Sequence, residues 1–162
     1  YPLPEAELDR FLLKVFIHYP EFEQEKQMVS QVTNGKLSMS TIDQQISQQL
    51  SPEDIMALQA AAEANTIDDQ VLSYAINIVH ATRNTSTILR GAGPRASIGI
   101  VNAAKAWALM NNRSFVLPDD IKQVALPVLR HRVLLSPDSE IEGFTPDQIL
   151  SQLIQSIDAP RV

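Results

Sequence analysis

The 162-residue chain contains no cysteine and only three histidines, which lie far apart at positions 18, 80 and 131. Without thiols the chain can form no disulfide, and the spacing of the histidines matches no common zinc motif. We therefore predict that it has no metal site of its own.

Long apolar runs and an excess of basic residues are also lacking. No stretch approaches the roughly 18 consecutive apolar residues of a membrane span, so we expect none. The chain has 13 Lys and Arg against 19 Asp and Glu, a net charge of −6. Because nucleic-acid surfaces need clustered basic side chains, this balance argues against a nucleic-acid partner. A hydrophobic content of 44% is typical of a folded globular protein, and we expect a cytoplasmic one.

The five glycines do not form the phosphate-binding loop G-x-x-x-x-G-K-[ST]. We therefore expect this chain alone neither to hydrolyse ATP nor to bind it tightly. Gly91 and Gly93 instead lead into Pro94 and Arg95. Proline is favoured at the first position of a helix, where free N–H groups and the helix dipole attract anions. The pattern predicts that Gly93 and Pro94 start a helix whose first turn directs Arg95 at a phosphate.

Arg10, near the start of the chain, is the second arginine of interest, and the pair suggests nucleotide hydrolysis. Sequence pattern alone favours a simpler interpretation for Arg10, namely a surface arginine paired with Glu7 or Asp9. For Arg95 an ion pair with a nearby carboxylate is an equally good interpretation. Both alternatives stay open at this level.

Helical periodicity and capping residues dominate the rest of the chain. They predict helices over about 5–13, 21–32, 52–65, 68–83, 94–111, 118–130 and 146–157. A β-rich run over 13–17 predicts a strand, and an isolated strand needs a partner. We therefore interpret residues 1–20 as the end of a sheet-containing domain and 21–162 as an all-α domain. A polar linker covers 34–50, where the spacing of Ile42, Ile46 and Leu50 allows some helix.

Two further groups of charged residues have structural explanations. Asp119 and Asp120 follow Pro118, so they are better explained by helix initiation than by acid–base chemistry. The basic cluster of residues 130–132 fits the end of a helix, where positive charge complements the dipole.

Two blocks of the chain, residues 1–20 and 80–158, resemble the C-terminal half of the MoxR-type AAA+ ATPases. The first block contains YPLPEAELDRF at positions 1–11. The second contains ATR at 81–83, GPRAS at 93–97, AAKA at 103–106, LPDDI at 117–121 and LRHR at 129–132.

This resemblance implies a helical-bundle lid domain, preceded by a short helix and strand from the end of an α/β ATPase core. It implies a homo-oligomeric ring that binds ATP and Mg²⁺ between neighbouring subunits. In that setting Arg10 matches the arginine finger, acting in trans, and Arg95 matches the sensor 2 arginine. The implied function is ATP-driven, chaperone-like remodelling or maturation of a client protein.

Two rival functions belong to other classes. The first is a stand-alone helical module that binds protein partners without nucleotide. The second is a DNA-binding helical domain, which needs a basic recognition helix, whereas the most regular helices here are alanine-rich or acidic at their starts. We rank the interaction module above DNA binding.

Overall fold

The computed structural model describes residues 3–35 and 49–161. It divides into two compact units, one formed by Tyr1–Val15 with Leu58–Val162 and the other by Phe16–Ala57. In chain order the elements are α1 (Glu5–Leu8), α2 (Phe22–Thr33), α3 (Pro52–Ala64), α4 (Asp69–Ala81), β1 (Ile88–Arg90), α5 (Pro94–Met110), α6 (Pro118–Leu129), β2 (Leu134–Leu135), α7 (Pro137–Ile141) and α8 (Pro146–Ser156).

The helices expected from periodicity are confirmed, with bounds within two residues of the prediction for all but the first. Helix α1 ends at Leu8 instead of continuing to residue 13. Local signals explain this agreement, because proline stands at the start of α3, α5, α6 and α8. Helix α5 stops where predicted, and Asn112 just beyond it has a φ of 57°, a conformation common after helix ends.

The strand predicted over residues 13–17 is not formed, since these residues are neither helix nor strand. No other strand of the described chain pairs with them, and a β-rich sequence needs such a partner. Instead, the backbone N–H of Lys14 donates to the carbonyl oxygen of Pro127 at 2.9 Å. Of the residues expected to allow helix in the polar linker, Ile42 and Ile46 lie outside the described residues.

The larger unit also contains elements that the periodicity did not predict. Strands β1 and β2 pair antiparallel, with Ile88 opposite Leu135 and an irregularity before Arg90 pairs with Leu134. Helix α7 begins after Ser136, whose hydroxyl accepts from the backbone N–H of residue 139. The unit is therefore mostly helical with a two-stranded ribbon, which agrees with the predicted all-α class apart from this small sheet.

The core of the larger unit lies between α4, α5, α6 and α8. Helices α5 and α6 make the most extensive contact. They approach closely because the buried face of α5 carries small residues, and a Cβ atom on Gly99 would lie 3.3 Å from the Cγ1 of Val128. This packing sets the start of α5 beside the end of α6.

In the smaller unit, helix α2 has no buried residue, and its first turn is acidic. Across the described ranges of the chain, no helix is both long and apolar enough to cross a membrane.

Candidate functional site

The candidate site begins at the start of α5. Gly93 is the N-cap, in an extended conformation with φ −79° and ψ 176°, and Pro94 is the first helical residue. Arg95 therefore stands in the first turn of a 17-residue helix, as its sequence context predicts. The geometry agrees with the expected helix start, while the phosphate role of Arg95 stays a prediction.

The turn before α5 is held by Thr82, which is fully buried. Its hydroxyl donates to the carbonyl oxygen of Val79 at 2.6 Å and accepts from the backbone N–H of Ala92 at 3.0 Å. Nearby, the Nε of Arg83 donates to the carbonyl oxygen of Ala92 at 2.7 Å. The end of α4 thus fixes the path of the chain into α5.

Arg95 makes one polar contact with a distant part of the sequence. Its Nη1 donates to Oδ2 of Asp9 at 3.3 Å, and the arginine side chain is 56% exposed. The carboxylate partner named as an alternative for Arg95 therefore exists. A single exposed ion pair of this kind contributes about 0–1 kcal/mol, and it uses one of the five N–H donors of the guanidinium.

Arg10 lies next to Asp9 in sequence, and its side chain is exposed. The expected surface pairing is not seen, because no ion pair within the described part of the chain joins Arg10 to Glu7 or Asp9. Arg10 lines a cavity of about 380 Å³ together with Leu3, Glu7 and Phe11. Its guanidinium is thus available to a group outside this chain.

Arg132 is the site residue that the sequence patterns did not identify. Its side chain is only 2% exposed, and its Nε donates to Oδ1 of Asp9 at 3.0 Å. Its remaining donors reach four backbone carbonyl oxygens, those of Asp9, Phe11, Leu12 and Val128. Two sequence signals include Arg132, the basic cluster after α6 and the LRHR block at 129–132, and neither predicts a contact with residues 9–12.

Asp9 consequently bridges two arginines, one exposed and one buried. Oδ2 accepts from Arg95 and Oδ1 accepts from Arg132. These contacts span 86 and 123 positions of the sequence. The segment that carries Arg10 is thereby joined to both the start of α5 and the end of α6.

A cavity of about 620 Å³ opens between these elements. Its polar lining includes the cations Lys14, Arg90 and Arg132 and a single carboxylate, Asp9. The remaining lining residues are Ala6, Leu8, Gly91, Gly93, His131, Val133 and Leu134. An excess of positive charge beside a helix start suits an anionic ligand.

His131 lies in the cavity wall, and its pKa is below the usual value. Burial lowers the pKa of His131, and the positive charge of Arg132 lowers it further, although the contact with the carbonyl oxygen of Phe11 opposes the shift. The Nε2 lies 3.0 Å from that carbonyl oxygen. A neutral ring makes this contact by carrying its proton on Nε2.

Asp119 and Asp120 have separate structural roles. Asp120 is almost fully buried, accepts from the backbone N–H of Leu117 at 2.8 Å, and meets Arg113 in two 2.6 Å hydrogen bonds. Asp119 is exposed and pairs with Lys122 at 3.2 Å. The helix-initiation role is confirmed for Asp120, which in addition anchors the loop before α6.

Over residues 3–35 and 49–161, no group of three or more histidine or acidic side chains could hold a metal ion.

Comparison with known proteins finds relatives that cover this chain. The AAA lid domain matches residues 80–153. The uncharacterized protein YeaC of Bacillus subtilis strain 168 is 35% identical over 160 residues, which cover 99% of this chain and 48% of YeaC. Chaperone MoxR1 of Mycobacterium tuberculosis is 34% identical over 171 residues, covering 100% of this chain and 44% of that protein.

The chain thus spans about half the length of these relatives. A crystal structure of a proposed ATPase from Cytophaga hutchinsonii superposes with a TM-score of 0.86 at 34% identity. The match covers 99% of this chain and 50% of that one.

Proposed function

Since the chain belongs to the MoxR-type AAA+ ATPases and contains an AAA lid domain, we propose that its full-length protein couples ATP binding and hydrolysis to chaperone-like remodelling or maturation of client proteins. The name of the mycobacterial relative, Chaperone MoxR1, supports the second half of this proposal. The assignment of residues 1–20 to the end of the ATPase core, and of 21–162 to the lid, is part of it. The proposal also includes a homo-oligomeric ring and a cytoplasmic location.

One observation carries the nucleotide role. Arg10 and Arg95 lie 85 positions apart in the sequence, yet the segment of Arg10 contacts Arg95 directly through Asp9. The same region has a cavity of about 620 Å³ whose polar lining is mainly basic. Arg95 and the basic cavity beside the start of α5 form a surface suited to phosphate, and Arg10 lies on the adjacent segment, where it lines a separate cavity.

In this proposal Arg10 is the finger that reaches the nucleotide of a neighbouring subunit. Its guanidinium is exposed, and it makes no ion pair within the described residues. Phosphoryl transfer spreads charge over oxygens that a guanidinium meets with two parallel hydrogen bonds. An arginine supplied in trans is worth about 10³–10⁵ in rate in other nucleotidases.

Arg95 has the sensor 2 role. Gly93 and Pro94 place it in the first turn of α5, and its exposed 3.3 Å contact with Asp9 is weak enough to exchange for a phosphate. A ligand shifts a conformational equilibrium only through contacts that differ between the two states. Exchange of Asp9 for phosphate is such a difference, so Arg95 can link nucleotide binding to lid orientation.

ATP and Mg²⁺ are the cofactors of this proposal, and ATP supplies the phosphoryl group that is transferred to water. This chain contributes positive side chains around the phosphates. Its lid positions one of them, Arg95, through the turn that Thr82 fixes.

The test is ATP turnover by the full-length protein in mixtures of wild-type and Arg10→Ala subunits. We expect Arg10→Ala to abolish turnover with little change in ATP affinity. Mixing with wild type should lower activity at least in proportion to the mutant fraction. Mixing Arg10→Ala subunits with subunits whose own phosphate-binding loop is inactivated should restore turnover, because the intact finger of one then completes the intact nucleotide site of the other. Arg161→Ala, a charge loss at another exposed arginine, is the control and should be neutral.

No recovery of turnover in the mixture of the two inactive subunits would argue against action in trans. Unchanged turnover in both Arg10→Ala and Arg95→Ala would reject the nucleotide roles and favour the interaction module. For Arg95→Ala we expect ATP still to bind, with a smaller nucleotide-dependent change in lid position, measured by distance labels on lid and core.

A further inference from the structure

The backbone on both sides of Arg10 is held by one buried side chain. The Nη2 of Arg132 donates to the carbonyl oxygen of Asp9 at 3.0 Å and to that of Phe11 at 2.5 Å. Its Nη1 donates to the carbonyl oxygen of Leu12 at 3.1 Å. Arg132 thus contacts the residues immediately before and after Arg10, while the side chain of Arg10 stays exposed.

The carboxylate of Asp9 completes this arrangement through the 3.0 Å contact with the Nε of Arg132. We call the pair of Asp9 and Arg132 the clamp. Every N–H of the guanidinium is used, because Nε makes one hydrogen bond and Nη1 and Nη2 make two each. Lysine cannot reproduce this, since its ammonium is a compact point charge without the planar fork of arginine.

Further contacts attach the following residues to the same helix end. The backbone N–H of Lys14 donates to the carbonyl oxygen of Pro127. The carbonyl oxygen of Lys14 accepts from the Nη1 of Arg130 at 3.1 Å. The Cδ1 of Leu12 would lie 3.4 Å from a Cβ atom on Gly99, at the contact between α5 and α6. Residues 9–14 are therefore seated on the lid helices.

We propose that Asp9 and Arg132 are positioning residues that make the segment around Arg10 move with the lid. The inference rests on the proposed roles of Arg10 and Arg95. Asp9 contacts both Arg95 and Arg132. When a phosphate replaces Asp9 as the partner of Arg95, Asp9 loses one of its two ion pairs, and Asp9 is the residue next to Arg10. Nucleotide bound to one subunit thereby changes how Arg10 is presented to the next.

Arg132 and Arg95, the two partners of Asp9, have different roles in this proposal. The side chain of Arg132 is 2% exposed and that of Arg95 is 56% exposed. Arg132 also donates four hydrogen bonds to backbone carbonyl oxygens, whereas the exposed contact of Arg95 contributes about 0–1 kcal/mol. Arg132 is therefore the permanent partner of Asp9, and Arg95 is the one that exchanges.

The experiment compares Arg132→Lys and Asp9→Asn with wild type in the full-length protein. We expect each to lower kcat about 10- to 100-fold, because a displacement of about 1 Å at a catalytic group can cost 10²-fold. The Kd for ATP and the oligomeric state should change less than twofold. Arg113→Lys is the control, since it disturbs another close arginine–carboxylate pair, the 2.6 Å contact with Asp120, away from residues 9–14.

A second comparison separates positioning from a general structural effect. In an Arg10→Ala background, measured by single turnover, Arg132→Lys and Asp9→Asn should lower the rate no further, since there is no finger left to position. The inference would be overturned if these substitutions lowered the rate equally in wild-type and Arg10→Ala protein. It would also be overturned if folded Asp9→Asn protein kept the wild-type kcat. Full turnover in Arg10→Ala itself would instead overturn the proposed function together with it. If Arg132→Lys does not fold, Asp9→Asn decides.

Discussion

The carbonyl oxygen of Thr82 lies 2.5 Å from the position that a Cβ atom on Gly91 would occupy. Thr82 is the C-cap of α4, and Gly91 precedes the N-cap of α5, so the chain that leaves α4 and the chain that enters α5 touch here backbone to backbone. The hydroxyl of Thr82 bonds Ala92 at the same place. The position of Arg95 at the start of α5 depends on this contact.

Gly91→Ala should destabilise the fold. The added methyl group meets backbone atoms of Thr82 and Arg83 at 2.5–2.7 Å, which only a backbone shift can relieve. Overpacking of this kind costs about 1–3 kcal/mol, measurable as a lower urea midpoint. The control is Gly93→Ala, where nothing lies within 4 Å of the new atom, so that the loss is limited to the N-cap preference of glycine over alanine. Equal midpoints for the two variants would contradict the close contact.

Thr82→Val should leave a buried N–H group of Ala92 without an acceptor. The side chain keeps its shape, but the hydroxyl that accepts from Ala92 at 3.0 Å is gone. An unsatisfied buried donor costs about 1–3 kcal/mol. Thr82→Ser keeps the hydroxyl and should retain more of the stability in thermal unfolding. A valine variant as stable as the serine variant would show that this hydrogen bond is not what holds the turn.

The Arg113–Asp120 pair predicts acid sensitivity. Burial alone would raise the pKa of Asp120, but the hydrogen bonds from Arg113 and from the backbone of Leu117 outweigh it and lower the pKa below its usual value. A carboxyl group with a depressed folded-state pKa contributes stability above its unfolded pKa of about 3.9. That contribution is lost as the pH falls from there through the folded-state pKa.

Asp120→Asn removes this contribution. We expect it to cost the lower part of the roughly 3–5 kcal/mol range for breaking a buried pair, because Arg113 is 24% exposed. The difference in melting temperature between wild type and variant should be large at pH 7 and shrink below about pH 4. Asp119→Asn, at the exposed neighbour, should show neither effect. A difference independent of pH would indicate that Asp120 acts through packing alone.

Much of the helical framework could be predicted from local sequence. The start of α5 follows from Pro94, and its end from the asparagines at 111 and 112, because these residues act through the conformation of their own backbone. The prediction of a strand over 13–17 was wrong because strand formation depends on a partner elsewhere in the chain. A β-rich run specifies a strand only when another strand accepts its hydrogen bonds, and in the described structure the chain there bonds to α6 instead.

Some features of the candidate site follow from local sequence, and others depend on tertiary packing. The sequence by itself determined that Arg95 stands in the first turn of a helix, since a glycine–proline lead-in is a local signal. Only the tertiary structure decided that Asp9 joins Arg95 to Arg132, and that Arg132 holds the backbone on both sides of Arg10. Such contacts, between residues up to 123 positions apart, arise from the packing of α5 against α6, and no periodicity or capping pattern records which distant side chains that packing brings together.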